Sequence, residues 1–248
     1  MNDFFMPFII APIIMFIVFI ILIINFIIIF SRMKKVNNMS VDEKIEFAEK
    51  KIQKRLKDLS EKDLLIENTF YTKRFIPFIS WGRKLGELYA IKDVDKPAAT
   101  LEHLFSFNPF KGFNGIILVK TVNDTIVIIL EQYKLRVKLN GKEIGEFDFK
   151  TKLYKTTNYS GKLQFPDVYV RSSYGRIGKT QTLYYLGDKL VGKSDIRNYL
   201  QQNMSFGKLR LIAEFSEDIP KEVKILFLAY IQADLFNNRL AESGQRHI

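Results

Sequence analysis

The residues able to support chemistry are few, and their scarcity narrows the function before any fold is considered. Histidine occurs twice, at His103 and His247, and cysteine not at all. Neither a zinc cluster nor a Cys-His pair can be assembled from that set. A Ser-His-Asp arrangement would have to use His103. That residue lies in a stretch punctuated by Pro97, Pro109, Gly112 and Gly115, where a loop or core histidine is the simpler reading. Carboxylates are plentiful but scattered, and no spacing singles out a glycosidase-type pair. The chain therefore offers no catalytic set, no metal site and no cofactor motif, and a non-enzymatic role is expected.

Two stretches do suit anions. Ser173 to Thr180, SYGRIGKT, imitates a phosphate-binding loop. Such a loop needs glycine first, a strand before and a helix after, because backbone N–H groups and the helix N-terminus cradle the phosphates. Here serine stands first and TQTLYYLGDKL follows, which reads as strand and turn, so a basic hairpin loop is expected, with Arg176 and Lys179 placed to touch phosphate headgroups. The second stretch is Tyr133 to Leu139. Leu135, Val137 and Leu139 occupy one face of a strand, and Lys134, Arg136 and Lys138 the other. A cationic strand face is either a solvated surface or an anion-recognising patch, extended in the second case by Lys142, Lys150 and Lys152.

The elements that would hold these residues begin with an anchor. Phe4 to Ser31 carries no charge and consists mostly of Ile, Phe, Leu, Val and Met. At about 1.5 Å per residue it is long enough to cross a bilayer with some tilt, and a transmembrane helix is expected. A cleaved signal peptide fits less well, since Met1 to Asp3 carries no positive charge and no small-residue cleavage site follows. Pro7 and Pro12 fall in the outer half of the span. Asn25, near its inner end, is either tolerated there or bonded to a partner helix. Asp3 precedes the span, whereas Arg32, Lys34 and Lys35 follow it, which places the large domain in the cytoplasm. All 38 Lys and Arg lie beyond residue 31, so the part after the span is one unit more positive than the chain's +11. A basic domain tethered beside an anionic leaflet is attracted to it, and the tether favours lipid over nucleic acid.

After a polar connector, Lys34 to Met39, Ser40 and Glu43 form a capping-box pattern. Ile45, Ala48, Ile52, Leu56 and Leu59 then recur at helical spacing, predicting a helix from about Val41 to Leu59. Its apolar stripe could pack on the domain, pair in a short dimeric coiled coil, or lie on the membrane. Asp63 to Lys84 mixes Phe70, Tyr71, Phe75, Phe78 and Trp81 with cations. It suits either an interfacial segment or the first layer of a core.

From Leu85 onward the texture is β. Strands are expected at Leu88 to Val94, Ile116 to Val122, Thr125 to Leu130, Tyr133 to Leu139 and Ile144 to Phe149. Further strands are expected at Lys152 to Thr156, Val168 to Ser172, Thr180 to Leu186, Lys189 to Lys193 and Leu209 to Phe215. Lys96 to Gly115 reads as a connection with a helical turn at Leu101 to Phe105. Asn123-Asp124, Asn140-Gly141 and Gly187-Asp188 read as two-residue turns. Pro220 to Phe236 comes last. From Val223 to Ile231 its only charge is Lys224, so it is apolar on every side yet too short for a bilayer, and burial inside the strands is expected.

Antiparallel strands followed by one apolar helix resemble the tubby-like C-terminal fold shared with the phospholipid scramblases and the LURP-one-related proteins. The likeness rests on ILEQYKLRVKLNGKEIGEF (Ile129 to Phe147) and KLRLIAEFSEDIPKEVKILFLAYIQADLF (Lys208 to Phe236), and covers about Phe70 to Arg239. It implies a closed antiparallel β-barrel around a C-terminal helix, with binding of phosphoinositides or other lipids. The chain departs from the scramblases in placing its span at the N-terminus, with a stalk between.

The expected organisation is mainly β: an anchor (1–31), a basic connector and stalk helix (32–62), a barrel with a central helix at about 220–238 (63–240), and a tail (241–248). The expected role is binding of anionic lipid or a protein partner at the inner leaflet. The alternative is a scaffold or homodimer joined through residues 41–59.

Overall fold

The structure is a computed structural model, and it describes residues 6–61, 65–73, 83–90, 96–108, 112–131, 134–148, 156–161, 167–175, 178–194 and 209–245. Three helices carry the labels α1 (Met6–Asn38), α2 (Val41–Ile52) and α3 (Lys221–Gln245). The strands are β1 (Thr69–Lys73), β2 (Arg83–Ala90), β3 (Ala99–Asn108), β4 (Gly112–Lys120), β5 (Thr125–Glu131), β6 (Lys134–Leu139), β7 (Lys142–Asp148), β8 (Thr156–Ser160), β9 (Val168–Gly175), β10 (Gly178–Leu186), β11 (Lys189–Ser194) and β12 (Leu209–Phe215). The protein is mainly β, and all the described strand pairs are antiparallel. Each strand lies beside its sequence neighbours, and β1 also pairs with β12, Phe70 opposite Ala213 and Tyr71 opposite Leu211.

Two apolar clusters share this sheet. The larger joins inward residues of the strands to α3, where Val223, Ile225, Leu226, Phe227, Leu228, Ala229, Tyr230, Ile231 and Ala233 are all buried. Tyr184 and Phe215 pack against Phe227 and each other, and Tyr184 also meets Tyr230, with ring centroids 4.9–6.3 Å apart. A small gap between α3 and the sheet, lined by Leu88, Val119, Ile128 and Leu228, has room for about one water.

The smaller cluster lies on the opposite side of the sheet. Leu104, Ile116, Leu118, Val127 and Ile129 meet Val36 of α1 and Ala48 and Ile52 of α2. Strands β3, β4 and β5 thus contribute buried residues to both faces, so none of them shows a clean apolar-polar alternation, and β4 and β5 carry nearly continuous apolar runs.

That double burial explains the first departure from expectation. Residues 101–105 are part of β3, not a helical turn within a connection. Leu101 belongs to the inner cluster and Leu104 to the outer, a spacing that imitates one helical face. A second departure is the link from anchor to stalk, because Lys34 to Asn38 continues α1 and Val36 is buried on the sheet.

The capping box at Ser40 is present. Glu43 N–H donates to the Ser40 hydroxyl (3.2 Å) and Ser40 N–H to the Glu43 carboxylate (2.6 Å). The helix ends at Ile52, followed by a 3₁₀ turn over Gln53–Asp58. Ser60 N–H then donates to the Pro97 carbonyl, fastening this segment to the sheet. The β4–β5 connection is four residues, Thr121 to Asp124, because the Thr121 hydroxyl accepts from the N–H groups of Asn123 and Asp124. The first expected strand ends at Ala90, with 91–95 outside the described residues. Residues 152–155 of the expected strand at 152–156 lie outside them too, as do Phe75, Phe78 and Trp81.

One charged cluster joins the hairpin tips to α3. Asp124 accepts from the Asn140 amide (2.9 Å) and pairs with Lys221 in the first turn of α3 (2.9 Å). Burial alone would raise the Asp124 pKa, but hydrogen bonds from Lys221 and Asn140 and the charges of Lys221 and Lys120 outweigh it, and the net shift is downward. A lowered folded-state value stabilises above the unfolded pKa of about 3.9, and the contribution is lost as pH falls through the folded value. Thermal melts should show an acid limb below roughly pH 4 that is shallower in Asp124→Asn.

α1 is apolar on all sides in sequence, and its described large apolar side chains from Ile13 to Ile28, with Phe30, are 40–73% exposed. Among the described residues no helix is long and apolar enough to cross a membrane.

Candidate functional site

The cationic strand face is built by the β6–β7 hairpin. Asn140 and Gly141 turn with φ of +48° and +82°, the left-handed pair that a two-residue hairpin requires. Carried on without interruption, that turn would set Leu135 opposite Glu146 and Arg136 opposite Gly145. The ladder instead slips by one residue at Gly145, whose φ is +154°, so Phe147 faces Leu135 and Glu146 faces Arg136. The bulge sends Phe147 inward, fully buried, and Glu146 outward among the cations.

The face that results is a ladder of ion pairs. Lys134 donates to Glu146 (3.0 Å) and Arg136 to Glu131 (2.6 Å). The hydrogen bond to Glu146, followed by that group's charge, holds the Lys134 pKa above its ordinary value. Lys138 is half-buried opposite Glu143 and Val127. Lys44 of α2 completes the edge of this surface. Desolvation lowers its pKa, and the negative charge of Glu131 opposes that shift. Glu131 thus serves two cations, and two of the three strand cations named from the sequence are already matched by acids.

The remaining candidates are distributed elsewhere. Arg176 lies outside the described residues. Lys179 sits on β10 opposite Tyr174, in a strand-turn-strand unit in which Gly175 pairs with Gly178. No helix N-terminus follows the GRIGKT segment, so the phosphate-loop geometry is missing there. Three strands separate β6 from β10, and Lys134 and Lys179 therefore share one end of the sheet but not one patch. Arg32, Lys34 and Lys35 occupy the last turns of α1, with Lys34 and Lys35 exposed on either side of the point where Val36 docks. His103 is half-buried on β3, opposite Lys84 and Ile117. Among the described residues no His, Cys, Asp and Glu group could hold a metal ion.

One surface group was not anticipated. Tyr169 and Tyr185 stack in parallel across β9 and β10 with centroids 4.8 Å apart, and the exposed Arg171 guanidinium lies 5.4 Å from the Tyr185 ring. The signal was present as alternation in VYVRS, which puts Tyr169 and Arg171 on one face.

No protein-family model matches the chain, and neither a curated protein nor a solved structure matches it.

Proposed function

We propose that the protein is a single-span, membrane-anchored domain, with a short segment outside and the β domain in the cytoplasm, that binds anionic lipid headgroups at the inner leaflet. The observation that carries this reading is α1, whose large apolar side chains are exposed around the helix while its last turns pack on the sheet. A helix that is apolar on all sides needs an apolar surrounding, and a bilayer supplies it. Arg32, Lys34 and Lys35 then stand at headgroup level, where each well-placed cation contributes roughly 1 kcal/mol of attraction to an anionic surface.

The finer fold reading belongs to the same proposal. A ring of strand neighbours around a helix buried from Val223 to Ala233 supports a tubby-like barrel with its helix inside. The competing scaffold reading has less support, since Ala48 and Ile52 of the stalk stripe are buried against the chain's own sheet.

The test uses the full chain in a neutral detergent, titrated with short-chain phosphatidylserine or phosphatidylcholine. Because Lys134 and Arg136 are held in ion pairs, the informative variant is Lys34→Glu/Lys35→Glu/Lys138→Glu. Preference for phosphatidylserine in the native chain, reduced at least about tenfold in the variant, is the expected result. Equal binding of the two lipids by the native chain would sink the headgroup reading.

A further inference from the structure

The one charge on the buried run of α3 has an unusual set of neighbours. Lys224 is 3% exposed, in a helix otherwise committed to the apolar core. Its ammonium lies 2.9 Å from the carbonyl oxygens of Leu65 and Glu67 and 2.9 Å from the side-chain oxygen of Asn68. A fourth oxygen, the carbonyl of Ile66, stands at 3.5 Å. Three oxygens at equal distance match the three N–H donors of a protonated amine. Carbonyls of three successive residues converge on one point while the Ile66 side chain turns out to solvent, 74% exposed. Converging carbonyl dipoles repel one another, and it takes a positive charge at their focus to hold them there.

The geometry points to a built cation site in the turn formed by Leu65 to Asn68, selective for a primary ammonium, which the chain fills from within by Lys224. Its purpose is mechanical. The turn leads directly into β1, the strand that pairs with both β2 and β12. Asn68 has a double engagement, since its side chain accepts from Lys224 and its backbone carbonyl accepts from Phe215 N–H at 2.8 Å. Phe70, next along, meets the edge of Phe215 at 5.7 Å. The ammonium therefore ties the entry of β1, the first described strand after α2 in the chain, to α3. A neutral side chain at 224 would leave the buried Leu65 carbonyl and the half-buried oxygens of Glu67 and Asn68 without this donor, which favours a turn opened toward water.

Hydrogen exchange of the full chain in detergent micelles tests this. In Lys224→Met, amides of residues 65–73 should exchange at least about tenfold faster than in the native chain, while those of α2 and β5 change less than about twofold. In Lys224→Ala, methylammonium should restore the protection of 65–73, and tetramethylammonium, which has no N–H to donate, should not. Unchanged protection in Lys224→Met, or equal rescue by both ions, overturns the site. Should both Lys224 variants fail to fold, Asn68→Ala decides the matter by removing one of the three close oxygens. About threefold faster exchange confined to 65–73 supports the site, and native protection there refutes it.

Discussion

Gly145→Ala should cost the protein about 4 kcal/mol. A β-carbon built on Gly145 falls well inside 3.0 Å of the Tyr159 ring, and the φ of +154° is one that side chains rarely adopt. The ring cannot retreat easily. Its hydroxyl donates to the Ile144 carbonyl at 2.5 Å, its edge contacts Phe147, and its far end lies over Gly161. Relief would require the β6–β7 ladder to give up its bulge, which would return Phe147 to the outer face and Glu146 to the core. Urea denaturation at constant m value is the measurement. Gly141→Ala is the control. Gly141 also has a positive φ, +82°, but nothing lies within 4 Å of an added β-carbon, so only backbone strain of about 1 kcal/mol is expected. Equal losses at the two positions would mean that the Tyr159 packing is not what fixes the register.

The second large effect is expected at the centre of α3. Leu228 is 4% exposed and packed among Leu88, Val119, Ile126 and Ile128. Leu228→Ala should cost about 3 kcal/mol through lost contacts and the cavity left behind. Leu228→Asp adds a carboxyl with no partner in an apolar surrounding, a penalty of roughly 5 kcal/mol or more that consumes most of the stability of an ordinary domain. Circular dichroism should show the aspartate variant without cooperative melting. A soluble Leu228→Asp variant that melts like the native chain would place α3 on a surface instead.

How much of this could be read from the residues differs between elements for physical reasons. The β6–β7 hairpin was readable because Asn140-Gly141 is a strong turn signal and Leu135, Val137 and Leu139 alternate cleanly. The burial of α3 was readable because a run with one charge leaves no polar face to expose. β3 was not, since two separate cores claim its opposite faces and erase the alternation. Pro97, Pro109, Gly112 and Gly115 around it gave the impression of a connection. The cationic face was located correctly as a strand face, yet its charge balance was not, because that depends on a one-residue slip. Gly145 in a strand interior was the available clue, as glycine there often marks a bulge. Convergence of the turn at 65–68 on Lys224 had no local signal, for the partners stand more than 150 positions apart.

The place of α3 in the chain also sets a timetable for assembly. Residues leave the ribosome in order, so every described strand emerges before the helix that packs against one face of the sheet. The outer face of β3 to β5 meets α1 and α2 at once, since those helices are already made. Its inner face has no such companion and stays uncovered until synthesis has passed Phe215 and continued through α3. Nascent chains with uncovered apolar strands are the ones that aggregate or engage holding chaperones. A translational pause placed just after β12 would lengthen that exposed period, whereas one placed after Gln245 has been released would not.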